Sequence, residues 1–361
     1  MTVNVASTSS QVYTGGSVSV GYGYEASFGV LGSGTSNTAN NAIDKVFGLN
    51  TKITSLTLNT SQVSLNKLGQ VEPTKFFFGQ QSGSLGVGFV LDDIESHRMF
   101  RCLYEKGSAV QQSKVGTAFS YPASLGENTT ASGTPASIQT RVQIQNGAKI
   151  LTRTLKGCIV NNLTLNTSIG ETVNATVDMT FAEESTGDVE ADSGTITAQT
   201  AINTATLTPY TFAHGALKMH TGASDAFVEV FDIQDVDVSF ATNAEMLFGL
   251  GKHYAQNSFR KVFDIGGRFK TTIKDGALLQ YVINQSIIGL ETETVPAPTS
   301  GATSGIGLEL VFTNGNKSIK IDFGGVSLTD HSTSGLEPNE VLFEDVSFKA
   351  KSSLITVDSS A

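Results

Sequence analysis

One succession of residue patterns occurs twice in this 361-residue chain, and it constrains the fold more than any single motif does. The first copy runs ITSLTLNTSQVSLNKLGQ, KFFFGQQSGSLGVGFVLDD and SHRMFRCLYE from Ile53 onward. The second runs VDVSFATNAEMLFGLGK, RKVFDIGGRFKTTIKD and GALLQYVINQ from Val236 to Gln285. Laying Leu68-Gly69 on Leu250-Gly251, a shift of 182 residues, places Leu56 on Val238, Leu58 on Phe240 and Leu65 on Leu247. Further on, Asn314-Gly315 falls on Asn146-Gly147 (a shift of 168) and Phe348 on Phe181 (a shift of 167), because the second copy has the shorter loop. Self-similarity near half the chain length predicts a duplicated supersecondary unit, with a first domain over 1–195 and a second over 196–361.

Each copy reads as strands. Leu56 and Leu58 alternate with Ser55, Thr57 and Asn59, the two-residue period of a strand with one face buried. Val63 to Leu68-Gly69 predicts a second strand and turn. Lys75–Phe78 and Gly86–Leu91 predict two strands around a turn at Gln80–Gly83, and Gly266-Gly267 predicts the matching turn. Asp92 or Asp93 is placed to cap a helix carrying Phe100, Leu103 and Tyr104 on one face and closed by Gly107; Asp275 is placed likewise ahead of Leu278, Leu279 and Val282. Asn146-Gly147 and Asn314-Gly315 are hairpin signals. The Gly-, Ser- and Tyr-rich segment before residue 50 predicts an arm ordered by a neighbouring subunit. Residues 108–136 predict a long loop, functional or mobile, well beyond the usual connection of about 4 to 6 residues. The fold class expected is therefore mainly β: two tandem β-sandwich or barrel domains, each with one flanking helix and extended hairpins.

Composition narrows the function. With 23 Lys and Arg against 33 Asp and Glu, the net charge is −10, the reverse of the basic footprint used to grip phosphates. The first residues lack the charged start and apolar core of a secretory signal, and no apolar run approaches the roughly 20 residues of a membrane helix. Cys102 and Cys158 are the only cysteines and read as small core residues. A phosphate-binding Gly-rich loop, a His-Glu-x-x-His pair and a Gly-x-Ser-x-Gly elbow are all missing. The five histidines (His97, His214, His220, His253, His331) lack ligand spacing and read as surface or turn residues. Asp235 and Asp237 fall on the same side of one strand and read as a solvated face rather than a calcium site. No catalytic, cofactor-binding or metal residue is nominated, and an enzyme is the weakest class of reading.

The order of strand ITSLTLN, LxxLG, aromatic strand, Gly-Ser turn, strand and capped helix, preceded by GYGYEASFG and FGLN and closed by LFEDVSFKAKS, resembles the tail tube (major tail) proteins of long-tailed bacterial and archaeal viruses. The resemblance implies a β-sandwich with a flanking helix, whose hairpins join those of neighbouring copies into a barrel. Rings would stack into a tube in the virion tail, assembled in the host cytoplasm, with DNA passing through the lumen without specific binding. Partners would be other copies and other tail proteins: tape measure, terminator, and baseplate or tip proteins. Two units per chain then predict a homotrimeric, pseudo-sixfold ring, the alternative being a homohexamer. The acidic balance predicts a lumen wall that repels phosphate. A secreted or surface-appendage subunit of adhesin or surface-layer type is the competing reading, and the lack of a secretory signal discriminates against it.

Overall fold

The alternating pattern becomes long antiparallel strands. The computed structural model describes residues 18–31, 43, 45–65, 75–93, 96–103, 113–115, 118–123, 137–146, 149–185, 207–220, 228–230, 232–273, 278–279, 306–335, 337 and 340–359. In the first half lie β1 (Val18–Ser27), β2 (Val30–Leu31), β3 (Leu49–Leu65), β4 (Lys75–Val90), β5 (Ser113–Val115), β6 (Ala118–Ala123), β7 (Ile138–Asn146), β8 (Lys149–Ser168), β9 (Asn174–Phe181) and β10 (Glu183–Ser185). In the second half lie β11 (Gly215–His220), β12 (Val228–Glu229), β13 (Ile233–Ala241), β14 (Ala244–Phe248), β15 (Ala255–Arg260), β16 (Asp264–Thr272), β17 (Ile306–Asn314), β18 (Lys317–Ser334), β19 (Phe343–Ala350) and β20 (Ser352–Ser359).

One sheet spans both halves. Its strands pair in the order β3, β4, β9, β8, β13, β16, β19, β18, every neighbour antiparallel. The seam between halves is seven residue pairs long, from Asn162↔Ala241 to Ser168↔Asp235. Against this sheet stand two smaller layers. In the first half β1, β7, β8 and β10 pair in succession. In the second half β12, β11, β17, β18, β20, β6 and β5 do so.

β8 and β18 belong to both layers, and each turns from one to the other at a glycine. Gly157 and Gly325 both have φ 62, which a side chain adopts only at a cost. The register on the partner strand slips at both places, between Ile138 and Thr140 and between Ile306 and Leu308. These are β-bulges that re-aim a strand. The core fills the space between layers: Phe323 of β18 lies 6.3 Å from the Phe240 ring and 5.3 Å from that of Phe348, both on the shared sheet. In the first half Phe47 joins Tyr22 at 4.8 Å to Phe89 at 6.1 Å.

Several expectations are corrected. β3 is one strand, and β4 runs unbroken through the Gln80–Gly83 turn that the glycines predicted; Leu68-Gly69 lies outside the described residues. Gly266-Gly267 likewise sits mid-strand in β16. Both glycines make room for a ring. A Cβ on Gly83 would stand 2.0 Å from Phe181 Cζ, and one on Gly267 would stand 2.8 Å from Phe348 Cζ.

The first flanking helix is a 3₁₀ helix over Ser96–Leu103. Three residues per turn stack Met99 on Cys102 and Phe100 on Leu103, and all four are buried. Just ahead of the helix Asp92 accepts the Ser96 N–H at 3.3 Å. Tyr104 and Gly107 lie outside the described residues; of the second helix only Leu278 and Leu279 are described, both helical.

The N-terminal arm is not left to a neighbour: β1 pairs with β7 over seven residues and buries Val20 and Tyr22. Residues 1–17 lie outside the description. The long loop also holds structure, since β6 crosses to the second half and pairs with β20. At the second hairpin the central residues are Gly315 (φ 63) and Asn316, between Asn314 and Lys317, so glycine takes the first central position rather than the second. Gly147 and Ala148 of the first hairpin are outside the described residues.

Candidate assembly surface

The shared sheet has two unlike faces because its side chains alternate. In β19 Glu344, Val346 and Phe348 point inward and are buried, while Phe343, Asp345, Ser347 and Lys349 point the other way. In β13 Val236, Val238 and Phe240 are buried and Asp235, Asp237 and Ser239 are not. The outward face is mostly polar, with Phe343 at one end as an aromatic exception.

Its two halves differ in chemistry. In the first half Thr57 and Ser84 hydroxyls share a hydrogen bond of 2.7 Å, and Asn161 donates to Thr180. Thr164, Asn166, Thr176 and Asp178 continue that surface. In the second half Arg268 stands among Asp235 (3.7 Å), Asp237 (3.8 Å) and Asp345 (3.8 Å). Partial burial raises the Asp237 carboxyl pKa; Arg268 pulls it down and Asp235 pushes it up. The two aspartates do share a face, as their spacing predicts, and Arg268 lies between them.

The acidic balance of the chain is not concentrated here. In the second half Asp235, Asp237, Asp264, Asp330 and Asp345 are set against Arg268, Lys270 and Lys349, and in the first half Asp178 against Lys52. This face therefore carries only a small excess of acids over bases.

The sheet also ends in two open edges. Among the described residues no strand pairs with β3 on the side away from β4, nor with the Asp330–Ser334 end of β18 on the side away from β19. Unpaired edges are templates for another strand. Leu58 on β3 is 41% exposed although it lies on the inward-pointing side.

A second exposed region lies at the hairpin formed by β14 and β15, which is a separate two-stranded sheet. Leu250 at its tip is fully exposed, and Leu247 and Tyr254 are partly so. His253 ties the hairpin to β4: Gln81 N donates to His253 O (2.8 Å), and His253 Nδ1 lies 3.1 Å from Gly79 O. Phe76 and Phe77, next along β4, are also exposed.

Of the other histidines, His214 accepts the Thr211 N–H at 3.1 Å, a turn role as expected. His331 is a correction: the residue is half-buried, with its side chain covered beside Glu344 and 2.9 Å between Nε2 and the carboxylate. Its place in an alternating strand, inward of Ser332, was the signal for this. Both cysteines are buried and free, and burial pushes the Cys158 thiol up to about 12. The described residues hold no cluster of three or more His, Cys, Asp or Glu side chains fit for a metal ion. No helix among them is long and apolar enough to cross a membrane.

A continuous antiparallel sheet with one largely polar face, one buried face and two open edges is a surface suited to assembly. No curated protein matches the chain. A family model described as phage tail tube protein matches residues 15–350, and this chain belongs to that family of structural tail components.

Proposed function

We propose that this chain forms the rings of a viral tail tube through which the genome passes during ejection, and that it contributes two tube units to each ring. The units are 1–195 and 196–361, related by duplication. The observation that carries this reading is the pairing order: β3, β4, β9, β8 across one half of the sheet and β13, β16, β19, β18 across the other. The glycine bends at Gly157 and Gly325, 168 residues apart, speak for the same relation.

In this reading the shared sheet is a segment of the tube wall, with its polar face to the lumen and its sandwich layers outward. A wall of hydroxyls, amides and mutually neutralised charges offers DNA neither a basic patch to bind nor a long-range field to climb. The exposed Leu250 hairpin and the Phe76–Phe77 segment are suited to contacts with the next ring. Tape measure, terminator and baseplate or tip proteins are the further partners, and assembly takes place in the host cytoplasm.

If six tube units complete a ring, three chains suffice. Electron microscopy of the purified protein should show hollow tubes, and native mass spectrometry of ring fragments should give three chains per ring. Six chains per ring would overturn the trimer, and a failure to form tubes under any assembly condition would overturn the tube reading itself.

A further inference from the structure

We infer that the outer edge of β3 is completed by the end of β18 from a second copy of this chain, in the register of the seam already present between β8 and β13. The inference rests on the tube reading and deepens it by naming the contacting residues.

The internal seam supplies the template. Along the sheet, Leu58 is opposite Gly83 and Gly83 opposite Phe181, while Val238 is opposite Gly267 and Gly267 opposite Phe348. Leu58 therefore holds the position of Val238, and Ser61 that of Ala241. On the other side Asn162 is opposite Asp178, and Ser332 is opposite Asp345, one strand in from the edge in each case. Ser332 therefore holds the position of Asn162. Since Ala241 pairs with Asn162 and Phe240 with Leu163, Ser61 should pair with Ser332 and Thr60 with Thr333 across copies. The two edges also fit chemically, because Asn59–Ser61 and Ser332–Ser334 are short, exposed polar runs without charge.

Exposure marks the same edge. Val238 is 1% exposed behind its seam, whereas Leu58 in the same position is 41% exposed. In the seam register Ser334 meets Asn59, so β18 ends one residue short of Leu58, which falls opposite Gly335. The contact is head-to-tail, using two different edges of each copy, and such contacts close into rings or grow into filaments. β18 stops at Ser334 while β8 runs to Ser168, so the seam between copies is shorter than the internal one. Rings would therefore come apart between chains before they come apart within a chain.

The test is disulfide trapping in the full chain. Thr242 N donates to Asn161 O, so Ala241↔Asn162 is a pair without mutual backbone bonds. Such pairs have Cα atoms about 4.5 Å apart, within reach of a disulfide. Ser61→Cys combined with Ser332→Cys should give interchain disulfides on mild oxidation of assembled tubes, as a ladder ending at the ring number. Ser61→Cys with Thr333→Cys places the thiols on opposite faces and should give none. Cys102 and Cys158 are buried and do not compete. Tubes that form without the Ser61–Ser332 crosslink, or that crosslink through Thr333 instead, overturn the register and leave the tube reading standing. A chain that stays monomeric under all assembly conditions overturns both.

Discussion

The bends at Gly157 and Gly325 share a backbone and differ in what surrounds it. At Gly157 the N–H donates to the buried Glu25 carboxylate at 2.8 Å, and Glu25 also accepts from Gly29 at 2.8 Å. A Cβ there would stand 2.9 Å from the Phe28 ring and 3.0 Å from Ala182 Cβ. At Gly325 the nearest atoms belong to the flexible stem of Lys351, at 3.1 to 3.2 Å. The same contrast runs through the neighbouring pairs. Arg141 faces Thr154 in the first half, where Glu309 faces Asp322 in the second. Equal φ angles and pairing orders do not require equal side-chain support. The first half holds its bend with a carboxylate and a ring, and the second packs its bend against the stem of the exposed Lys351.

The largest test addresses what the halves share. Gly83→Ala puts a Cβ 2.0 Å from Phe181 and 2.4 Å from the Thr57 carbonyl, and Gly267→Ala puts one 2.3 Å from the Asp237 carbonyl. Backbone oxygens on paired strands cannot retreat cheaply, so each should cost about 3 kcal/mol. Urea unfolding midpoints would show it. Tolerance of either change would break the equivalence of the two ring-over-glycine sites.

The bends themselves should separate. Gly157→Ala combines a left-handed φ with a crowded site and should cost about 3 kcal/mol. Gly325→Ala carries the φ cost alone, about 1 to 2 kcal/mol, because the Lys351 stem can swing aside. Equal losses by the same unfolding measurement would remove the contrast drawn above.

The smallest effect is a pH dependence confined to the second half. Glu309 is pushed up by burial, but hydrogen bonds from Lys218 and Lys320 outweigh this and hold its carboxyl below the ordinary range. Asp322 is pushed up to about 6, by burial first, although Lys320 lies 3.2 Å away. An acid raised on folding binds its proton more tightly in the native state, so stability falls as pH climbs from about 4, the unfolded value, to about 6. Above that the penalty is constant. Asp322→Asn should therefore gain about 1 kcal/mol at pH 7, after allowing for the loss of its pairing with Lys320, and nothing at pH 4. A gain that is the same at both pH values would show that packing, not ionisation, is responsible.

Much of this was legible in the chain. Alternation placed Asp235 and Asp237 on one face and Val238 and Phe240 on the other, because the period of a strand is local. The shift of 168 residues carried Asn146 to Asn314, and it carries Gly157 to Gly325 as well. The superposition of Leu56 on Val238 was two residues out; by cross-strand position Leu58 matches Val238. A slip of two keeps every side chain on its face, so the pattern alone gave no warning of it.

Other features were decided by contacts between distant segments. Gly83 and Gly267 look like turn residues, and only the strands bearing Phe181 and Phe348 show that they are vacancies for a ring. The 3₁₀ winding at Ser96–Leu103 follows from how Met99, Phe100, Cys102 and Leu103 meet the core. The crossing of β6 to β20 cannot be read from a Ser- and Gly-rich run. By itself the sequence determined the β class and which side of each strand is buried, because alternation depends on neighbours one to four residues away. The tertiary structure alone decided that the halves share one sheet and that β3 and β18 are left as its edges, because backbone pairing joins residues far apart in the chain and is nearly blind to their side chains.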